Sequence, residues 1–168
     1  MEIIILSQEQ AIHFRPVKDN KTVLIRIHDP NETVKTPVFE DLFEDIIHFS
    51  FHDVVPKDYL PRNIKYFELS DADRIISFVK EYIDAHTIVI HCHAGISRSP
   101  ALAIGIAWIM KNDYLQNEIL ESGKYIPNPH VLNVMAEALG VRETKKNIIS
   151  QYREVEADLD KQDIEIEF

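Results

Sequence analysis

Four short segments rich in Ile, Val and Phe recur along the chain, at residues 2–6, 22–27, 45–51 and 88–91. Several are continuously apolar rather than alternating. Strands that are apolar on both faces suit a parallel sheet covered by helices, because a half-exposed strand would alternate polar and apolar residues. Helical patterns interleave with them. Ser70-Asp71-Ala72-Asp73 reads as a capping box with Ser70 as the cap, and Ile75, Ile76, Val79, Tyr82 and Ile83 then follow at helical spacing. Ser99 before Pro100 reads as another N-cap, and the run 101–110 is apolar all round, so that helix belongs in the core. Asn128-Pro129 opens a third helix, lined by Val131, Val134, Met135 and Leu139 and ended by Gly140. The expected fold class is α/β: a single domain with a twisted, mostly parallel central sheet flanked by helices.

Length and charge narrow the function classes. A chain of 168 residues suits one domain and buries about 70% of its unfolded surface, enough for a core without covalent staples. The formal charge of −10 argues against nucleic acid as the main partner, since phosphate backbones need clustered cations. Cys92 is the single cysteine, which excludes an internal disulfide and a multi-cysteine zinc site. No basic region precedes the first apolar run and no stretch approaches ~18 apolar residues, so neither a signal peptide nor a membrane span is expected. A reducing, cytoplasmic setting follows as the default expectation. Residues 151–168 carry two cations, Arg153 and Lys161, against seven acids. The chain is therefore expected to divide into one folded domain over 1–150 and an acidic tail over 151–168.

The segment with the most chemistry is His91-Cys92-His93-Ala94-Gly95-Ile96-Ser97-Arg98-Ser99. It runs from a buried strand through a tight loop into a buried helix. In parallel α/β sheets ligands sit at the carboxyl ends of strands, against helix N-termini. Residues 93–97 offer successive backbone N–H groups, an anion-binding nest, and the helix behind adds about half a positive charge. Gly95 supplies the positive φ that such a ring needs. Arg98 brings a planar fork matched to two phosphate oxygens. Cys92 lies at the bottom, where amides, helix dipole and guanidinium all favour its thiolate. A sulfur aimed at phosphorus, with the non-bridging oxygens held, is arranged for in-line phosphoryl transfer. Ser99 is placed to donate its hydroxyl to the departing sulfur. The leaving oxygen needs a proton from a carboxylic acid at the same sheet edge. Asp53, just beyond the third strand, is the first candidate, and Asp58 the rival, because 39 residues separate Asp53 from Cys92.

His-Cys-x5-Arg-Ser, present as His91, Cys92, Arg98 and Ser99, resembles the signature of the cysteine-dependent protein tyrosine phosphatase superfamily. The ending Ser97-Arg98-Ser99-Pro100 and the small size resemble its dual-specificity branch. The likeness runs from about residue 22 to about residue 140, Asn128-Pro129 included. It implies phosphomonoester hydrolysis on phosphorylated proteins through a cysteinyl-phosphate, with no cofactor, no metal and a phosphate or sulfate anion in the loop. It also implies that His91 bonds backbone carbonyls and shapes the loop, while His93 faces substrate. The expected substrate is phosphotyrosine protein, with phosphoserine and phosphothreonine in the same range. Alternatives are a phosphoinositide or RNA 5′ phosphate, disfavoured because residues 93–97 include no Lys or Arg, and a catalytically inactive phosphate-binding module. Sulfurtransferases and arsenate reductases can carry similar loops, and the mid-chain motif after a buried strand, with Asp53 upstream, disfavours them. A metal held by His91-Cys92-His93 is disfavoured, since neighbouring ligands on a tight loop point poorly at one ion. No nucleic-acid or membrane partner is expected.

Overall fold

The computed structural model describes residues 1–57 and 60–141. Asp58, the expected domain boundary at residue 150 and the acidic tail lie outside the described residues. In order the elements are β1 (Glu2–Ser7), α1 (Gln8–His13), β2 (Thr22–His28), β3 (Asp45–Ser50), α2 (Leu69–Glu81), β4 (Thr87–Cys92), α3 (Arg98–Ile109), α4 (Asp113–Glu121) and α5 (Pro129–Leu139). The strands form one sheet in the order β1-β4-β2-β3, and every pairing is parallel. All four carboxyl ends therefore share one edge, which is where Cys92, Asp29 and Asp53 emerge.

The pleat sorts the strand residues into two packing layers. Val23, Ile25, Ile27, Ile88 and Ile90 point to one face and pack with Ile75, Phe78 and Val79 of α2, the interior of α3, and Val131 and Met135 of α5. Leu24 and Val89 point to the other face, against Ile4, Leu6, Phe14, Phe43 and Ile46. β2 and β4, the two inner strands, are buried along their whole length, Arg26, His28 and His91 included. α3 is buried from Arg98 to Ala107, and Gly105 lets α5 approach: a Cβ there would stand 2.6 Å from the Met135 side chain.

Three local expectations shift. α2 begins at Leu69, where the Asp71 carboxylate accepts the Glu68 N–H at 3.1 Å, so the cap lies two residues before Ser70 and Asp73. Its buried face is Ala72, Ile75, Phe78 and Val79, while Ile83 falls beyond the helix end and is exposed. Ser99 is not a cap but the second residue of α3. α1 and α4 carry no strong apolar periodicity and are additions to the expected elements. α1 is held by a reciprocal pair, Gln10 N–H to Ser7 Oγ at 3.2 Å and Ser7 N–H to Gln10 Oε1 at 2.9 Å. α5 starts as expected, with Asn128 Oδ1 accepting from His130 and Val131 amides, and ends on Gly140 at φ 69°. No helix among the described residues is long and apolar enough to cross a membrane.

Candidate active site

Residues 92–98 connect β4 to α3 and are clamped from three sides. Gln8 N–H donates to the His93 carbonyl at 3.1 Å, Ile126 N–H to the Ile96 carbonyl at 2.9 Å, and Asn128 N–H to the Ser97 carbonyl at 3.1 Å. Those carbonyls are thus engaged by the flanking segments. The amides of residues 94–97 find no backbone partner among the described residues. Gly95 has φ 72°, and a Cβ on it would sit 2.7 Å from the Leu6 backbone, so both conformation and space demand glycine.

Cys92 is buried at the base of the loop, with Sγ 3.2 Å from the hydroxyl oxygen of fully buried Ser99. Ser97 occupies the N-cap position of α3 yet makes no capping bond. Its hydroxyl donates instead to Asp53 Oδ1 at 2.7 Å. The first-turn amides of α3 are left for whatever binds at this helix start.

Arg98 is 3% exposed. One nitrogen, Nη1, is committed, donating to Asp29 Oδ1 at 2.6 Å and to the Phe51 carbonyl at 2.8 Å. Its Nε is buried without a hydrogen-bond partner among the described residues. The guanidinium is therefore tethered at one corner while another keeps an unused donor. Asp29 and the Phe51 carbonyl are part of the site that sequence reasoning missed. Asp29 was within reach of the rule that located Asp53, since it lies one residue past the carboxyl end of β2.

Asp53 stands across a cavity of about 550 Å³ that Asp29, His52, Cys92, His93, Ile96 and Arg98 also line. Its Oδ1 accepts from Ser97 Oγ and, at 2.8 Å, from Asn128 Nδ2. Its Oδ2 lies 4.0 Å from Arg98 Nε. Asn128 thus caps α5 with its oxygen and holds Asp53 with its nitrogen, and only the first role was legible. His52 clips the loop after Asp53 at its base: its N–H donates to the Lys65 carbonyl at 2.8 Å and its Nδ1 accepts the Lys65 N–H at 3.0 Å. The long spacing between Asp53 and Cys92 is taken up by that clipped loop and α2.

His91 has a side-chain partner that the sequence did not announce: its Nε2 accepts from Arg26 Nε at 3.0 Å, and Arg26 is held in turn by the Lys35 carbonyl at 2.7 Å. Accepting at Nε2 puts the ring proton on Nδ1. Burial pushes the His91 pKa down to about 3, and the Arg26 charge adds to it. His28, edge-on to His91 and 3.4 Å from His48 across ring nitrogens, is pushed down to about 4 for the same reasons in the same order. A His lowered in the folded state binds its proton only in the unfolded chain, whose value is about 6.5. Stability is therefore expected to fall as pH drops from about 6.5 toward 4. The thermal midpoint followed between pH 7 and 5 measures this. A flat midpoint across that window would show that these rings are not held neutral.

No group of three or more His, Cys, Asp or Glu side chains among the described residues is arranged to hold a metal ion. The arrangement can seat a tetrahedral anion between the loop amides and Arg98, with a sulfur below it and a carboxyl group beside it.

No family model matches the chain, and no curated protein matches it. Solved structures do. Human DUSP28 is 11% identical, with 89% of this chain covering 94% of that one at a TM-score of 0.54. PTPMT1 in complex with PI(5)P is 13% identical, with 83% covering 90% at 0.52. A human tyrosine phosphatase-like serine/threonine/tyrosine-interacting protein is 19% identical, with 73% covering 78% at 0.51. Identities this low speak for architecture, and the architecture is shared over most of each chain. With its parallel sheet between helices and its strand–loop–helix at Cys92, this chain has the fold of the cysteine-dependent protein tyrosine phosphatase superfamily.

Proposed function

We propose that the protein hydrolyses phosphomonoesters on phosphorylated proteins, phosphotyrosine first and phosphoserine and phosphothreonine in the same seat, through a cysteinyl-phosphate. One observation carries the reading: Cys92, Arg98 and Asp53 line one cavity, with Ser99 Oγ buried behind it 3.2 Å from Cys92 Sγ. The phosphoryl oxygens sit on the amides of residues 94–97 and on Arg98. Sulfur attacks phosphorus, the P–O bond to the leaving group breaks, and that oxygen takes a proton from Asp53. Ser97 and Asn128 both donate to Oδ1, so the transferable proton belongs on Oδ2, the oxygen nearer Arg98. Water then attacks phosphorus, Asp53 accepts its proton, and the P–S bond breaks as Ser99 donates to the sulfur. Arg98 and the amides supply the positive field throughout, so no step in this scheme calls on a metal.

The solved neighbour holding PI(5)P makes phosphoinositide the competing substrate class. Against it, residues 93–97 contain no Lys or Arg to meet further phosphates, and the formal charge is −10. The deciding experiment offers phosphotyrosine, phosphoserine and phosphothreonine peptides, phosphoinositides and 5′-triphosphorylated RNA in the presence of chelator. Release of phosphate from the peptides, with labelled phosphorus trapped on Cys92 after acid quench, is the expected result. Turnover of inositides alone, or of RNA alone, overturns the protein substrate. Binding without turnover of any of them leaves a phosphate-binding module in place of an enzyme.

A further inference from the structure

We propose that the wall beside the catalytic cavity is a specificity shelf for a bulky apolar side chain, carried by the substrate polypeptide within a residue or two of the phosphorylated one. The proposal rests on the phosphatase reading above. A second cavity of about 350 Å³ shares Asp53, Val54 and Ser97 with the catalytic cavity, so the two adjoin at these residues. Its wall carries Val55, Leu60, Ile126 and Pro129, together with Lys57, which is itself engaged in an interaction.

Two exposed isoleucines mark the junction. Ile96, 43% exposed, rims the catalytic cavity, and Ile126, 52% exposed, rims the neighbouring one. Their backbones are joined by the Ile126 N–H to Ile96 carbonyl bond of 2.9 Å, so the two side chains stem from adjoining positions. Single exposed aliphatic residues are ordinary, but adjoining ones at the mouth of a site mark a ligand groove. The polar groups on the floor are already committed: Ser97 Oγ and Asn128 Nδ2 both donate to Asp53. What remains uncommitted there is the aliphatic surface of Val54, Val55 and Ile126.

A polypeptide fits this better than a lipid surface. Successive residues of an extended chain advance about 3.3 Å, which brings a neighbouring side chain onto a wall shared with the phosphate seat. A chain of formal charge −10, with no cation among residues 93–97, is repelled by an anionic bilayer. Covering the shelf removes apolar surface from water on both partners.

The test uses phosphotyrosine peptides identical except at one position, scanned over two residues on each side and occupied by Leu, Ala or Glu. At one position at least, kcat/KM for the Leu peptide is expected to exceed that for the Ala peptide about tenfold. In Ile126→Ser that ratio falls to about one. Because Ile126 is more than half exposed and keeps its backbone bond, the substitution leaves the fold intact. Ratios within twofold at every position, or a ratio unchanged by Ile126→Ser, overturn the shelf. Phosphoinositide vesicles turned over faster than every peptide, with that turnover the one weakened by Ile126→Ser, overturn the polypeptide occupant. Para-nitrophenyl phosphate, which has no flanking residues, separates the two claims. Its turnover with flat peptide ratios sinks the shelf alone, and no turnover of it by the unmodified protein sinks the phosphatase reading.

Discussion

Cys92→Ser is expected to abolish turnover while the protein still folds and still binds phosphorylated substrate. The exchange is nearly isosteric at a buried position, and the loop is held by backbone bonds from Gln8, Ile126 and Asn128 that do not involve the side chain. A serine hydroxyl, unlike a thiolate, needs a base to take its proton. The side chain bonded to Cys92 is the Ser99 hydroxyl, 3.2 Å away, which is no base at neutral pH. Losing an activated nucleophile costs on the order of 10⁶-fold in kcat, or about 8 kcal/mol of barrier. Phosphate release followed over hours, with titration calorimetry on a phosphopeptide, measures both halves. Steady turnover at even one part in a hundred would exclude attack by the sulfur.

The second large effect is Asp53→Asn, with a loss of roughly 10²–10⁴ in kcat and little change in phosphate affinity. The amide can still accept at one atom from Ser97 and Asn128, so the loop keeps its place. It cannot release a proton to the leaving oxygen. The loss is therefore expected to be large for phosphotyrosine and phenyl phosphate and small for aryl phosphates whose oxygen departs unprotonated. That dependence on leaving group distinguishes proton donation from a mere loosening of the loop. Asn128→Ser makes the companion measurement, because serine keeps an N-cap acceptor for α5 but loses the donor that fixes Asp53 Oδ1. It is expected to reproduce a weaker form of the same pattern. If Asp58→Asn rather than Asp53→Asn shows the dependence, the acid has been misassigned.

The β-strands were readable from their Ile-, Val- and Phe-rich stretches, most clearly in β2 and β4, which are buried over their full length. α5 was readable from both ends, through Asn128-Pro129 and Gly140. α1 and α4 were not, since six and nine residues with few buried positions carry little periodicity. The start of α2 was misplaced because Ser70-Asp73 and Glu68-Asp71 compete for one helix start. The first has the better capping residue, and the structure uses the second, with the Glu68 N–H donating to Asp71. Ser99 looked like a cap because it precedes Pro100, yet the helix begins two residues closer to Cys92, with Ser97 at the cap position.

The order of residues alone determined the Cys92 loop, since Cys92, Gly95, Arg98 and Ser99 are neighbours in the chain and a strand-to-helix turn brings them together whatever surrounds it. Tertiary structure decided how that loop is held and aimed. Asp29 reaches Arg98 across 69 positions, Asn128 reaches Asp53 across 75, and Arg26 reaches His91 across 65. Such pairs leave no periodic trace, because a hydrogen bond between distant segments depends on the sheet order that brings β2, β3 and β4 to one edge. That order is set by how the whole core packs, which no local stretch of residues encodes.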